Sequence, residues 1–203
     1  MRALLSFLAV LACLMRPAWS APPIPPTALE FGVAIEAGNT WAAKKWLDEG
    51  LPPDFLADRI GSGLMIASWI GNLDLMRLYL DRGANIHLTN RFDEQALQLA
   101  SWRGHIDAVR LLLERGAEAN RRGKQWGALH YAVFAGRADI ARELVGNGAD
   151  VNARTPNDST ALMMAAREGH ADLARTLLES GADTRPVNEW GDNALAFAMR
   201  NRN

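Results

Sequence analysis

Four stretches of the chain set apolar residues in the same order: Leu75, Met76, Tyr79 and Leu80; Ala108, Val109, Leu112 and Leu113; Ile140, Ala141, Leu144 and Val145; Leu173, Ala174, Leu177 and Leu178. An i, i+1, i+4, i+5 order makes one apolar stripe on a helix of about 3.6 residues per turn. Each stretch therefore predicts a short amphipathic helix. One such helix with a single partner cannot bury its stripe, whereas stacked helix pairs can.

The punctuation of these helices is periodic as well. Gly50, Gly83, Gly116, Gly148 and Gly181 recur at spacings of 33, 33, 32 and 33 residues. Another glycine lies 12 residues upstream of each, at Gly38, Gly71, Gly104, Gly136 and Gly169. Four residues further upstream the residue is always alanine: Ala34, Ala67, Ala100, Ala132 and Ala165, with Ala198 continuing the series. Glycine suits a helix end where the chain reverses with positive φ, and alanine lets neighbouring helices approach closely. Asp74, Asp107, Asp139 and Asp172 follow the turn glycine by three residues and suit the positive end of a helix. The short step loses its residue between Gly116 and Gly136, in the loop around Arg121 to Gly127. That loop is expected to present its side chains differently from its neighbours.

These residues resemble the ankyrin repeat, which opens on T-P-L-H-x-A, turns at G-H and leaves through G-A-D-V-N. The matches are Ala128-Leu129-His130-Tyr131-Ala132, Gly104-His105, Gly169-His170 and Gly148-Ala149-Asp150-Val151-Asn152. The resemblance covers about Thr27 to Asn203; the T-P opening survives only as Thr160, the first repeat is weak and the sixth stops after one helix. It implies an all-α solenoid of stacked helix-turn-helix units with short hairpin loops, about five and a half repeats long. The expected repeats are 27–59, 60–92, 93–124, 125–157, 158–190 and a partial 191–203. In the partial unit Leu195, Ala198 and Phe197 are expected on the buried side, with no second helix to cover Leu173 and Leu177.

The first twenty residues read as a secretion signal. Met1-Arg2 is a basic start, Ala3 to Met15 is a 13-residue run of small and apolar residues, and Ala18-Trp19-Ser20 presents small residues for cleavage. As a helix that run would span roughly 20 Å, short of the roughly 30 Å of a bilayer core. The expected domains are thus a signal peptide at 1–20, a Pro-rich leader at 21–26 and the repeat domain at 27–203. The only cysteine, Cys13, lies within the signal segment, so the exported chain needs no disulfide. Val10-Leu11-Ala12-Cys13 also resembles a lipobox, and lipidation at Cys13 would attach the protein to a membrane. Mass spectrometry of the mature N-terminus separates the two, an unmodified start near Ala21 ruling out the anchor. Extracellular ankyrin arrays fit bacteria, and the expected location is the periplasm.

A formal net charge of −1 gives no reason to expect nucleic acid as a partner. Of the four histidines, His105 and His170 fall at inter-helix turns, His130 at a helix start and His87 in a loop. Residues so dispersed suit framework roles better than a metal or catalytic centre. No nucleophile-elbow, zincin, Walker or dinucleotide fingerprint occurs. The chain is therefore read as no enzyme, with no cofactor.

Ankyrin units bind through loop tips and the exposed side of the first helix, as the resemblance implies. Two residues before the turn glycine stand Glu36, Trp69, Trp102, Phe134 and Arg167; the tips add Arg91, Phe92, Lys124, Trp126 and Trp190. Tryptophan and arginine are common interface hot spots. Trp69, Trp102 and Phe134 are expected to form an outward ladder with rungs about 8–10 Å apart, and replacing both tryptophans by alanine is expected to spare the melting temperature. The function expected is that of a monomeric protein-binding module, either an inhibitor or immunity protein or an accessory factor of an envelope enzyme. The alternative is a structural or lipid-anchored envelope module without one dedicated partner.

Overall fold

The computed structural model describes residues 24–57 and 59–200. The signal segment and Cys13 lie outside them. Eleven helices occur among the described residues. Five helix-turn-helix pairs come first: α1 (Ala28–Glu36) with α2 (Thr40–Asp48), α3 (Gly63–Ile70) with α4 (Leu73–Asp81), α5 (Ala96–Arg103) with α6 (Ile106–Glu114), α7 (Ala128–Phe134) with α8 (Ala138–Gly146), and α9 (Ala161–Glu168) with α10 (Ala171–Glu179). A single helix, α11 (Ala194–Arg200), follows. Only two isolated bridges, Leu56 with Ser62 and Arg154 with Thr160, interrupt the all-α pattern among the described residues.

The helices start where side chains can satisfy their free N–H groups. Thr27 and Glu30 form a reciprocal capping box on α1, and Asn39, Ser62, Asn72 and Thr160 cap α2, α3, α4 and α9. The predicted aspartates do lie in the first turns of α4, α6, α8 and α10. At the turns, Gly71, Gly104 and Gly169 close α3, α5 and α9 in the left-handed region. The residue after each turn glycine covers the glycine of the preceding unit. A Cβ on Gly71 would come within 2.6 Å of the His105 ring, and one on Gly104 within 2.9 Å of Arg137. His105 also bonds the Trp69 carbonyl through Nε2 at 3.1 Å, so the turn histidine ties one repeat to the next.

First helices stack on first helices and second on second, the first-helix row making the more extensive contact. The alanine series explains the difference: Ala67, Ala100, Ala132 and Ala165 are wholly buried between first helices. The closer row is the inner face of the stack. From the second helices, Leu75, Met76, Tyr79, Ala108, Val109, Leu112, Ile140, Ala141, Leu144, Leu173 and Leu177 enter one continuous core.

The last unit differs from expectation. Leu195 is 63% exposed, Ala198 is exposed, and Phe197 is half-buried, whereas Leu173 and Leu177 are buried in the continuous core. Helix α11 packs chiefly on α9. The positions that Leu97 and Ala100 bury against a following helix face solvent here because no described helix follows α11.

Candidate functional site

The inner face is built from the last turns of the first helices and from the tips between units. Trp69, Trp102 and Arg167 are the penultimate residues of α3, α5 and α9, and Phe134 is the last of α7. The rings do not form widely spaced rungs. Trp102 meets Trp69 edge-on with centroids 5.5 Å apart, and meets Tyr131 at 5.9 Å. Tyr131 meets Trp126 at 5.5 Å, and Trp126 meets Phe134 at 6.0 Å. Tyr131 and Trp126 fill the gaps between the predicted rungs, giving one continuous cluster of mostly edge-on contacts, with Trp102 and Tyr131 tilted at 50°, an arrangement aromatic quadrupoles favour. Arginine covers both ends: Arg103 lies 4.7 Å from the Trp69 centroid and Arg167 lies 5.9 Å from that of Phe134.

The shortened loop accounts for Trp126. From Gly116 to the start of α7 the chain has one residue fewer than between Gly83 and the start of α5. Trp126 consequently takes the place held by Glu94 in the preceding unit and turns onto Tyr131 and Phe134. Glu94 is nearby: its Oε1 accepts the Tyr131 hydroxyl at 2.9 Å, and its Oε2 accepts Asn90 Nδ2 at 2.9 Å. Burial first, and then the Glu94 charge, push the Tyr131 hydroxyl well above the ordinary tyrosine range, which keeps it a donor.

The tips are ordered by their own polar groups. Asn90 Oδ1 accepts the backbone N–H of Phe92 at 2.9 Å and of Glu94 at 3.1 Å, and Asp93 closes that tip at φ 61°. Arg121 reaches back to Asp93, donating to its carboxylate at 2.9 Å and its carbonyl at 3.0 Å. Lys124 and Arg154 both pair with Asp158, at 2.7 and 3.0 Å, and those two cations hold the Asp158 carboxyl below the usual range. Between the second tip and the first helices runs a groove of about 480 Å³, with Trp69, Trp102, Phe92 and Arg91 among its walls. The Arg91 guanidinium rests 4.8 Å from the Phe92 centroid, and Phe92 is 63% exposed.

The candidate residues thus divide. Trp69, Trp102, Phe134, Trp126 and Arg167 form the cluster, and Arg91 and Phe92 edge the groove beside it. Lys124 is tied to the neighbouring tip, and Trp190, at the last tip, is exposed and joins none of these ring contacts. Trp69 is half-buried against the core. Its truncation would remove packing as well as surface, so replacing Trp69 is expected to carry a thermal cost that the sequence alone did not suggest. Tyr131 and Arg103 were not singled out from the sequence. Tyr131 precedes Phe134 by three residues, which places both on one helix face and could have revealed it. Arg103 reaches Trp69 across 34 positions, with no local signal.

Among the described residues no group of three or more His, Cys, Asp or Glu is placed to hold a metal ion, and no helix is long and apolar enough to cross a membrane. His130 is buried, with Nδ1 accepting the Gly127 N–H at 3.1 Å and Nε2 facing the Ala153 carbonyl at 3.0 Å. It is a framework residue that joins a helix start to the following loop. No curated protein matches the chain. A family model described as Ankyrin repeats (3 copies) matches residues 64–155 and 153–203. Those matches span more than half of the chain, and with the stacked helix pairs, turn glycines and projecting tips, the chain belongs to the ankyrin-repeat family.

Proposed function

We propose that this protein is a non-enzymatic binding module of the bacterial periplasm that holds a partner protein against its inner face, as an inhibitor or immunity protein or as an accessory factor of an envelope enzyme. Ankyrin repeats are generally protein–protein interaction modules, and the signal-like N-terminus supports export. The observation that carries the reading is the continuous aromatic cluster on the inner face. Trp102 and Phe134 keep 37% and 38% of their surface exposed although each packs on other rings. Aromatic area that is rigid, amphipathic and already desolvated on one side is favourable for binding, because little side-chain freedom remains to be lost.

The test is affinity capture from an envelope extract with the parent protein, a Phe92→Ala/Trp102→Ala variant, and an Arg110→Ala variant on the second-helix side. Each of two hot spots contributes about 2 kcal/mol, so the inner-face variant should hold the captured protein at least 30-fold more weakly (about 2 kcal/mol, allowing for non-additivity). Arg110→Ala should retain it at parental affinity. Equal retention by the parent and the inner-face variant would refute the reading.

A further inference from the structure

The arginines at the aromatic groove differ from most of those on the second helices. Arg77, Arg110 and Arg175 each pair with a carboxylate on their own or the next helix. Arg91 and Arg103 are exposed, and among the described residues neither forms a salt bridge; each guanidinium lies over a ring, Arg91 on Phe92 and Arg103 on Trp69. The neighbouring acids are engaged elsewhere: Glu94 accepts from Tyr131 and Asn90, and Asp93 is held by Arg121. Glu36, at the corresponding position of the first unit, is within salt-bridge distance of neither arginine. An exposed cation–π contact is worth only about 0.5–1 kcal/mol. A guanidinium released from a ring can instead hold a carboxylate with two parallel hydrogen bonds, strengthened beside apolar walls where water is thinned.

Resting on the inner-face reading above, we propose that this groove takes an acidic peptide segment of the partner. One large apolar side chain sits between Phe92 and Trp102, and flanking carboxylates pair with Arg91 and Arg103. The volume agrees with such an anchor: about 480 Å³ is within the range of pockets that enclose a small ligand or a few side chains. Arg91 lines the groove on the tip side and Arg103 lies over Trp69, a wall on the helix side, so negative charge is called for on both sides of the apolar residue.

The test is selection from a displayed library of random nonapeptides on three proteins: the parent, Arg91→Glu/Arg103→Glu, and Phe92→Ala/Trp102→Ala. The parent should enrich peptides with acidic residues on both sides of an apolar one. The charge-reversed protein should keep the apolar residue and replace the acids with Lys or Arg. The best acidic peptide should bind the reversed protein at least tenfold more weakly, and should weaken on the parent as salt rises from about 50 to about 300 mM. A urea melt of each variant confirms folding, since both arginines are exposed. Neutral or basic peptides enriched by the parent, a preference indifferent to the reversal, or no enrichment at all would overturn the proposal. If non-acidic peptides are enriched and lost on Phe92→Ala/Trp102→Ala, the acidic inference falls while the inner-face reading stands. If acidic peptides bind that variant undiminished, both fall.

Discussion

Gly63→Ala is expected to lower the folding free energy by about 3 kcal/mol, the upper end of what overpacking ordinarily costs. Helices α5, α7, α9 and α11 begin with Ala96, Ala128, Ala161 and Ala194, and α3 alone among them begins with glycine. The reason lies across the unit. Where other second helices bury Leu112, Leu144 and Leu177, α4 buries Tyr79, and its ring occupies the space a methyl group would need. A Cβ on Gly63 would lie 2.1 Å from Tyr79 Cζ and 2.5 Å from Cε1. The ring has nowhere to retreat, being fully buried with Phe31 edge-on at 6.5 Å. Tyr79→Leu alone should cost about 2 kcal/mol through the cavity it leaves, reduced because the buried Tyr79 hydroxyl lacks a hydrogen-bond partner. Combining the two changes restores the alanine–leucine pair of the other units. The double variant should therefore be at least 2 kcal/mol more stable than Gly63→Ala alone, read from urea midpoints as a double-mutant cycle. Simple additivity would show that the two residues do not share one volume.

The second large effect is acid loss of stability through His130. Burial lowers its pKa from 6.5 to about 4. The backbone N–H of Gly127 aimed at Nδ1 acts in the same direction, because a proton there would face another donor. Between those two values the unfolded chain binds a proton that the folded chain refuses, so stability rises with pH across that window. The contribution is complete above about pH 6.5 and is lost as pH falls toward 4; a separation of this size is worth about 3 kcal/mol. Asp183 is held at about 2 chiefly by its hydrogen bond from the Arg185 side chain; its contribution is present above 3.8 and is lost only below the His130 window. The chain also carries a non-titrating counterpart. Gln98, two residues into α5 as His130 is into α7, accepts the Gln95 N–H at 2.8 Å and donates to the Trp126 carbonyl at 3.0 Å. His130→Gln should keep the fold and flatten the dependence between pH 6.5 and 4, measured by urea unfolding at several pH values. A parental slope in that variant would place the effect in other groups.

Residues repeated in phase were readable along the chain because stacking imposes the same demand at every unit. Ala67, Ala100, Ala132 and Ala165 are buried for one reason, and a single local rule accounts for the left-handed Gly71, Gly104 and Gly169. Residues defined by departure from the repeat were harder to place. The missing residue before α7 was visible as a spacing of 32, but its consequence, Trp126 folded back onto Tyr131 and Phe134 of the helix it precedes, depends on the path of the loop, which spacing alone does not give. Trp69 occupies the same repeat position as Trp102, yet it is more deeply covered because Arg103 and Trp102 lie on its exposed side. Leu195 matches the buried Leu97 in sequence and is exposed where no helix follows among the described residues. Burial in a stack belongs to neighbours as much as to residue type.

The central claim, that the inner face is the binding face, is tested most directly by hydrogen-exchange mass spectrometry of the protein with and without its captured partner. Protection should appear in peptides spanning 59–70, 90–103 and 124–134, which hold the aromatic cluster, the groove and two tips. Peptides from α4, α6 and α8 should exchange as they do in the free protein. Protection confined to those second helices, or to α11 alone, would contradict the account and move the interface to another side of the stack.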